Sequence, residues 1–177
     1  MSALNNVKVA VLSTDGFEDS ELTQPVEAVR EAGATVTIIA PESGTIEGKN
    51  GTEVSVDATT GEVDPADYDA LILPGGTVNA DKLRMDGPAV DFVKKHFAAN
   101  KPVGVICHGG WILTDADVIK GRTLTSYESI KTDLRNAGAT WVDEEVHVDN
   151  GLVSSRTPDD LPAFNAKIVE EFAEGKH

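Results

Sequence analysis

Cys107 is the only cysteine in the chain, and it stands between a short apolar run, Val103 to Ile106, and His108-Gly109-Gly110. A fresh apolar pattern, Trp111-Ile112-Leu113, follows at once. That order predicts strand, sharp turn and helix, with the sulfur on the turn at the strand's carboxyl end. The free N–H groups of the following helix face such a residue. They are expected to lower the thiol's pKa and to hold a developing oxyanion. The chemistry is nucleophilic attack on a carbonyl carbon, a nucleophile elbow with sulfur in place of a hydroxyl. A lone cysteine is equally at home as a small buried hydrophobe, so its place on the turn carries the reading.

Other residues would have to serve that sulfur. Glu18 lies just past the first apolar run, where a carboxyl can reach a thiol. A carboxyl beside a forming thiolate is either repelled or kept protonated, so an active Glu18 should have a raised pKa and could shuttle a proton. The alternative is an acidic residue at a helix start, favourable with the helix dipole. Asp19 and Glu21 compete for the role and are assigned to the surface. His108 is a base or lends only its backbone N–H. His96, His147 and His177 sit in charged or terminal contexts and read as surface. Pro74-Gly75-Gly76 offers N–H groups for an oxyanion hole, although a loop needing positive φ would use the same glycines. No Cys/His cluster has metal-ligand spacing, and no Gly-Lys-Ser/Thr or GxGxxG pattern occurs, so neither a metal nor another cofactor is expected.

The elements that would position these residues follow from apolar patterning. Val7 to Leu12, Asp69 to Leu73 and residues 101 to 106 read as strands covered on both faces. Thr35 to Ala40 is a further strand, and residues 42 to 63 form a small β-rich excursion. Phe17 to Ala32 reads as a helix with Leu22, Val26 and Val29 on one face; because Pro25 interrupts it, the regular helix is expected to begin there. Asp86-Gly87-Pro88 opens a helix carrying Val90, Val93 and Phe97. Residues 109 to 116 follow the cysteine as a helix. Arg122 to Ser126 and Ser129 to Asn136 give another strand and helix. Short strands at Trp141-Val142, Glu145 to Val148 and Leu152 to Ser154 follow, with Asn150-Gly151 as a hairpin turn. A final helix runs from Pro158 to about Ala173. The alternation predicts one domain over residues 1–177, an α/β three-layer sandwich with a mostly parallel sheet. Its site should lie outside the strands' carboxyl ends, where Asp15 to Asp19, Pro74 to Gly76 and Cys107 to Gly109 converge.

Composition narrows the function. The 177 residues hold 30 acidic against 15 basic side chains, a net charge of −15. Such a surface repels phosphate, so nucleic-acid or membrane binding through a basic face is excluded as an expectation. No apolar run approaches the roughly 20 residues of a membrane helix, and the first residues lack a signal-peptide pattern, so a cytoplasmic protein is expected.

Four segments also resemble a known family. Asp15-Gly16-Phe17-Glu18-Asp19-Ser20-Glu21-Leu22, Leu73-Pro74-Gly75-Gly76, Val105-Ile106-Cys107-His108-Gly109 and Val153-Ser154-Ser155-Arg156 are similar to PfpI-type intracellular proteases and deglycases. These belong to the ThiJ/PfpI superfamily, within the class I glutamine amidotransferase-like group. The likeness implies a flavodoxin-like sandwich, a strained cysteine contacted by Glu18, and an oxyanion hole from the Gly76 and His108 amides. It places Gly75, Gly109 and Tyr127 at the pocket, though Tyr127 also suits ordinary packing. It further implies a neighbouring subunit whose carboxylate orients His108, with Asp81 as the match where the family usually has glutamate.

The implied activity is a cysteine-dependent stress-response enzyme. Its substrates would be methylglyoxal, glyoxal or their early protein adducts, as in glyoxalases and deglycases. The alternatives are a peptidase in a homodimer or hexamer, with Cys107, His108 and a partner Asp81 as its triad, and a redox sensor in which Cys107 is oxidised.

Overall fold

The computed structural model describes residues 2–177. The chain runs β1 (Lys8–Leu12), α1 (Asp19–Glu31), β2 (Thr35–Ala40), a hairpin of β3 (Thr45–Glu47) and β4 (Glu53–Ser55), β5 (Ala58–Thr59) and β6 (Ala70–Leu73). It continues through α2 (Thr77–Leu83), α3 (Gly87–Ala98), β7 (Val103–Ile106), α4 (Trp111–Ala116), β8 (Thr123–Leu124) and α5 (Lys131–Asn136). Last come β9 (Thr140–Trp141), β10 (His147–Asp149), β11 (Leu152–Ser155) and α6 (Leu161–Glu174). Seven strands form the main sheet in the order β10-β11-β7-β6-β1-β2-β5. All its pairings are parallel except that of β10 with β11.

The apolar runs explain the layers. Val9, Val11, Ala70 and Ile72 pack with Leu22, Val26, Phe164 and Ile168, side chains of α1 and α6. Their neighbours in sequence, Ala10, Leu12, Leu71 and Leu73, pack with Phe92, Val93, Ile112 and Leu113 of α3 and α4 on the other face. Strand alternation thus divides one continuous apolar run between two cores, and each fully buried large side chain contributes about 2 kcal/mol. This is the flavodoxin-like α/β sandwich that the sequence predicts. Asn150 (φ 45°) and Gly151 (φ 81°) make the expected tight hairpin turn between β10 and β11.

Several expectations need correction. α1 does not wait for Pro25; it begins at Asp19 and runs through the proline. The ring removes the bond to the Glu21 carbonyl, but the buried stripe of Leu22, Val26 and Val29 holds the helix in register. Residues 122 to 126 do not join the main sheet. Only Thr123 and Leu124 are strand, and they pair with β9 in a separate two-stranded sheet. Side chains anchor this piece instead: Thr123 N–H donates to Asp149 Oδ2 at 2.7 Å and Thr125 N–H to Ser154 Oγ at 3.0 Å. Thr77–Leu83, to which the apolar pattern assigned no element, is a helix, α2. His96 is fully buried, its Nε2 at 3.0 Å from the Pro102 carbonyl and its ring stacked on Phe92. His147 is half-buried beside Glu144, and His177 is exposed as expected.

Candidate active site

In the sheet, β7, β6 and β1 are neighbours, so the three predicted strand ends do meet. Cys107 takes a φ of 60°, in the left-handed region that a residue with a Cβ avoids. Its carbonyl accepts a hydrogen bond from Tyr127 N–H at 3.2 Å, which helps to hold the strained turn. The thiol is almost completely buried.

The carboxyl against the thiol belongs to Glu21. Glu21 is 0% exposed, packed on the Gly75 backbone and facing the Cys107 thiol. Neither of its oxygens completes a hydrogen bond of good geometry among the described residues. Burial first, then the charge of Glu18, push it up to about 8, so it carries its proton at neutral pH. Glu18, expected at the sulfur, is instead paired with Lys49 at 2.5 Å, its side chain 16% exposed. The raised carboxyl of the sequence reading is therefore present, but one helical turn further on. The reason is the early start of α1. With the helix running from Asp19, Glu21 shares its inner face with Leu22, Pro25, Val26 and Val29, while Glu18 caps the end. An i, i+4 reading from Pro25 back to Glu21 would have found it.

The Cys107 thiol itself also departs from expectation. Burial pushes it up rather than down, and Glu21 adds to this, while the His108 and Gly76 N–H groups that face the sulfur pull the other way. Those two amides are the predicted oxyanion donors. Gly75 and Gly76 are required here by close approach. A Cβ on Gly75 would lie 2.7 Å from the Cys107 Cβ, and one on Gly76, at φ 94°, would lie 2.4 Å from the Gly16 carbonyl oxygen. Gly109 is pressed against the Leu73 and Pro74 carbonyls, 2.5 and 2.8 Å from where a Cβ would lie.

Asn79, which no sequence signal singled out, locks this loop. It is fully buried. Its Nδ2 donates to the carbonyls of Pro74 at 3.3 Å and Gly75 at 3.0 Å, and its Oδ1 accepts from Thr14 N–H at 2.8 Å. One amide thus ties the ends of β1 and β6 together.

His108 does reach the sulfur, with Nδ1 at 3.4 Å from Sγ. Nε2 lies 3.1 Å from Ser129 Oγ and 3.5 Å from Thr77 Oγ1, two further partners that sequence spacing did not reveal. Tyr127 stacks on the imidazole at 4.8 Å and Trp111 meets it edge-on at 5.5 Å. Burial, then the Lys49 charge, lower the His108 pKa, leaving a neutral ring at pH 7. With its Nε2 proton directed at Ser129, Nδ1 is free to accept the thiol's proton. No carboxylate touches His108 among the described residues. Asp81 is exposed on α2. Beside the histidine, Tyr127 and Ser129 open into a cleft of about 640 Å³ lined also by Lys131, Trp141, Asp143 and Arg156.

A cysteine on a strained turn, between a strand end and a helix of a mostly parallel sheet, defines a flavodoxin-like α/β protein. Within that class the chain belongs to the DJ-1/PfpI family, which it matches over residues 7–171. It is 51% identical over 165 residues to "Protein/nucleic acid deglycase 2" of Escherichia coli (strain K12), covering 92% of this chain and 95% of that one. It is 46% identical over 164 residues to "Deglycase PfpI" of Pyrococcus furiosus, covering 93% and 98%. Among solved structures, the DJ-1/ThiJ/PfpI-like part of a two-domain protein from Anabaena variabilis superposes with a TM-score of 0.90 at 34% identity. That match covers 93% of this chain and 47% of the other, which carries a ferritin-like domain besides. The chain is an enzyme of the deglycase or peptidase kind. No helix among the described residues is long and apolar enough to cross a membrane.

Proposed function

We propose that this chain is a cytoplasmic cysteine deglycase that acts on the early adducts of methylglyoxal or glyoxal with amines and thiols, and on the free dicarbonyls by the same chemistry. The observation that carries the reading is a sulfur flanked by two uncharged proton carriers, Glu21 on one side and His108 on the other. A rearrangement that moves a proton between neighbouring carbons needs such a pair. The names of the similar deglycases support it.

The steps follow from the geometry. An adduct collapses as its hydroxyl proton leaves, the C–N bond breaks and the amine departs protonated, exposing an aldehyde. His108 Nδ1 takes the thiol proton, and the sulfur adds to the aldehyde carbon. The carbonyl electron pair moves to oxygen, where the Gly76 and His108 N–H groups hold it. His108 returns its proton to that oxygen and then takes the C1 proton while Glu21 protonates the C2 oxygen. The Glu21 carboxylate next takes the C1 hydroxyl proton as His108 delivers its proton to C2, leaving a thioester. Water adds to its carbonyl and expels the sulfur, releasing lactate from methylglyoxal or glycolate from glyoxal. The cleft beside Tyr127 takes the body of the glycated side chain. The test is lactate release from methylglyoxal-treated N-acetylarginine, compared with Cys107→Ala. Equal release by both proteins overturns the reading.

A peptidase remains the second reading, for one reason. Among the described residues no carboxylate orients His108, while Asp81 stands exposed on α2 between Val78 (51% exposed) and Met85 (75%), apolar side chains suited to a subunit contact. A homodimer or hexamer would bring Asp81 of a second copy to His108. Sedimentation as a monomer excludes that triad.

A further inference from the structure

The β-rich excursion between β2 and β6 has so far carried no role, yet it is stitched to the site. Gly16 N–H donates to the Glu47 carbonyl at 2.8 Å, and Lys49 N–H to the Phe17 carbonyl at 2.9 Å. Glu47 N–H donates to Asp15 Oδ1 at 2.9 Å. Asp19 accepts from Asn50 N–H and Thr52 N–H, each at 3.0 Å. Asp15 and Asp19, both in the segment that carries Glu18, are thus tethers for the β3–β4 turn. What the tethers deliver is the Lys49 ammonium, which sits on Glu18 at 2.5 Å with its side chain 56% exposed. One of its three N–H donors is engaged there, which leaves two on a side chain that is largely exposed. Its charge bears on Glu21, Cys107 and His108 as well as on Glu18.

We propose that Lys49 is a specificity-determining residue of the thiol site. By balancing Glu18 it admits electrophiles that carry a negative charge beside the reacting carbon, such as α-oxo carboxylates and carboxylate-bearing adducts. Without it, the Glu18 carboxylate would stand alone at the mouth of a protein whose net charge is already −15. The inference rests on Cys107 being the reacting group, and it is tested on the thiol rather than through turnover.

Two alkylating reagents of nearly equal size and different charge make the probe: iodoacetamide, neutral, and iodoacetate, an anion. In each, the sulfur displaces iodide from the CH₂ carbon, a C–S bond forms, and the thiol proton passes to solvent. Because the chain has a single cysteine, each rate reports Cys107 alone. The quantity of interest is the iodoacetate-to-iodoacetamide rate ratio at pH 7 and low salt. Lys49→Met should lower that ratio about fivefold, the effect of one unit charge several ångströms away in a partly screened setting. Lys49→Arg should keep it, Glu18→Gln should raise it, and the Glu18→Gln/Lys49→Met pair should return it to within about twofold of the parent. A loss of reactivity equal for both reagents would make Lys49 only a prop for the hairpin and overturn the proposal. So would a ratio that Lys49→Met leaves unchanged, or a double variant no better than Lys49→Met. A parent protein inert to both reagents would instead sink Cys107 as the nucleophile.

Discussion

Replacing Glu21 by Gln should make this protein more stable and far less active. The carboxyl ionises near 4.5 when exposed and near 8 in the folded protein, because it is buried beside the thiol. A raised folded-state value means that the native form binds the proton more tightly than the unfolded chain. Stability contributed by that proton is complete below pH 4.5 and is lost as pH rises through 8. The gap of 8 − 4.5 = 3.5 units corresponds to at most ~5 kcal/mol. Glutamine has the same shape and no proton to lose, so the variant should lack this slope. Urea unfolding at pH 5, 7 and 9 gives the check. The difference between variant and parent should grow by several kcal/mol from pH 5 to pH 9, with the m-value unchanged. Other titrating groups, such as His96, are shared by both proteins and cancel in the difference. In the same preparation kcat should fall about 100-fold or more with little change in KM, since Gln cannot pass a proton between carbons. Parallel stability curves for the two proteins would refute the burial argument. Full activity in the variant would refute the proton-shuttle role.

Three further outcomes follow from neighbouring contacts. Asn79→Ala should cost about 1–3 kcal/mol, because the Pro74 and Gly75 carbonyls and Thr14 N–H are left unpaired, and kcat should drop as the Gly76 amide loosens; thermal unfolding and steady-state rates read both. Ser129→Ala frees one side of the imidazole, so the acidic limb of the kcat/KM profile should shift and kcat should fall roughly tenfold, whereas a purely structural serine would leave the limb in place. His96 is held down at about 4 against an ordinary 6.5 by burial, so stability should decline as pH falls from 6.5 toward 4. His96→Gln, which keeps a donor for the Pro102 carbonyl, should flatten that decline in urea titrations.

The mostly parallel sheet and the meeting of the three strand ends were legible because short uninterrupted apolar runs ending in turn residues mark strands covered on both faces. The site was legible only to within one turn of helix. Pro25 is a local signal for a helix start, but burial of Leu22, Val26 and Val29 is a tertiary one, and the tertiary one prevailed. That single displacement sent the inward carboxyl from Glu21 to Glu18 and left Glu21 assigned to the surface. Thr77, Asn79 and Ser129 stayed hidden for another reason. They act across 21 to 65 positions of sequence, through side-chain hydrogen bonds that leave no periodic trace. The two-residue strand β8 failed as a main-sheet element because polar anchors, rather than a ladder, hold it beside β10 and β11. The thiol's pKa runs against the helix N–H argument because Glu21 and Gly75 close over the sulfur and burial outweighs those amides.

A strained Cys107 costs about 1–3 kcal/mol, and a buried Glu21 costs more at neutral pH. Neither would persist unless its surroundings over-determined it, and they do. Tyr127 N–H holds the Cys107 carbonyl, Asn79 fixes the backbone that faces the sulfur, and the hairpin bonds fix the segment before α1. The charges are arranged in two tiers. Glu21 and His108 are neutral at pH 7, while Glu18 and Lys49 form a balanced pair outside them. The sulfur therefore faces no net charge despite the strongly acidic chain. In the proposed mechanism the thiol gives its proton to Nδ1, and the new negative charge would meet one imidazolium and three donors: Glu21 O–H, Gly76 N–H and His108 N–H. Those same donors lose a partner once the sulfur adds to a carbonyl, and the nascent oxyanion replaces it. In the mechanism we propose, a site organised in this way favours the addition step over the resting thiolate, so a thiol with a raised pKa is no obstacle to it.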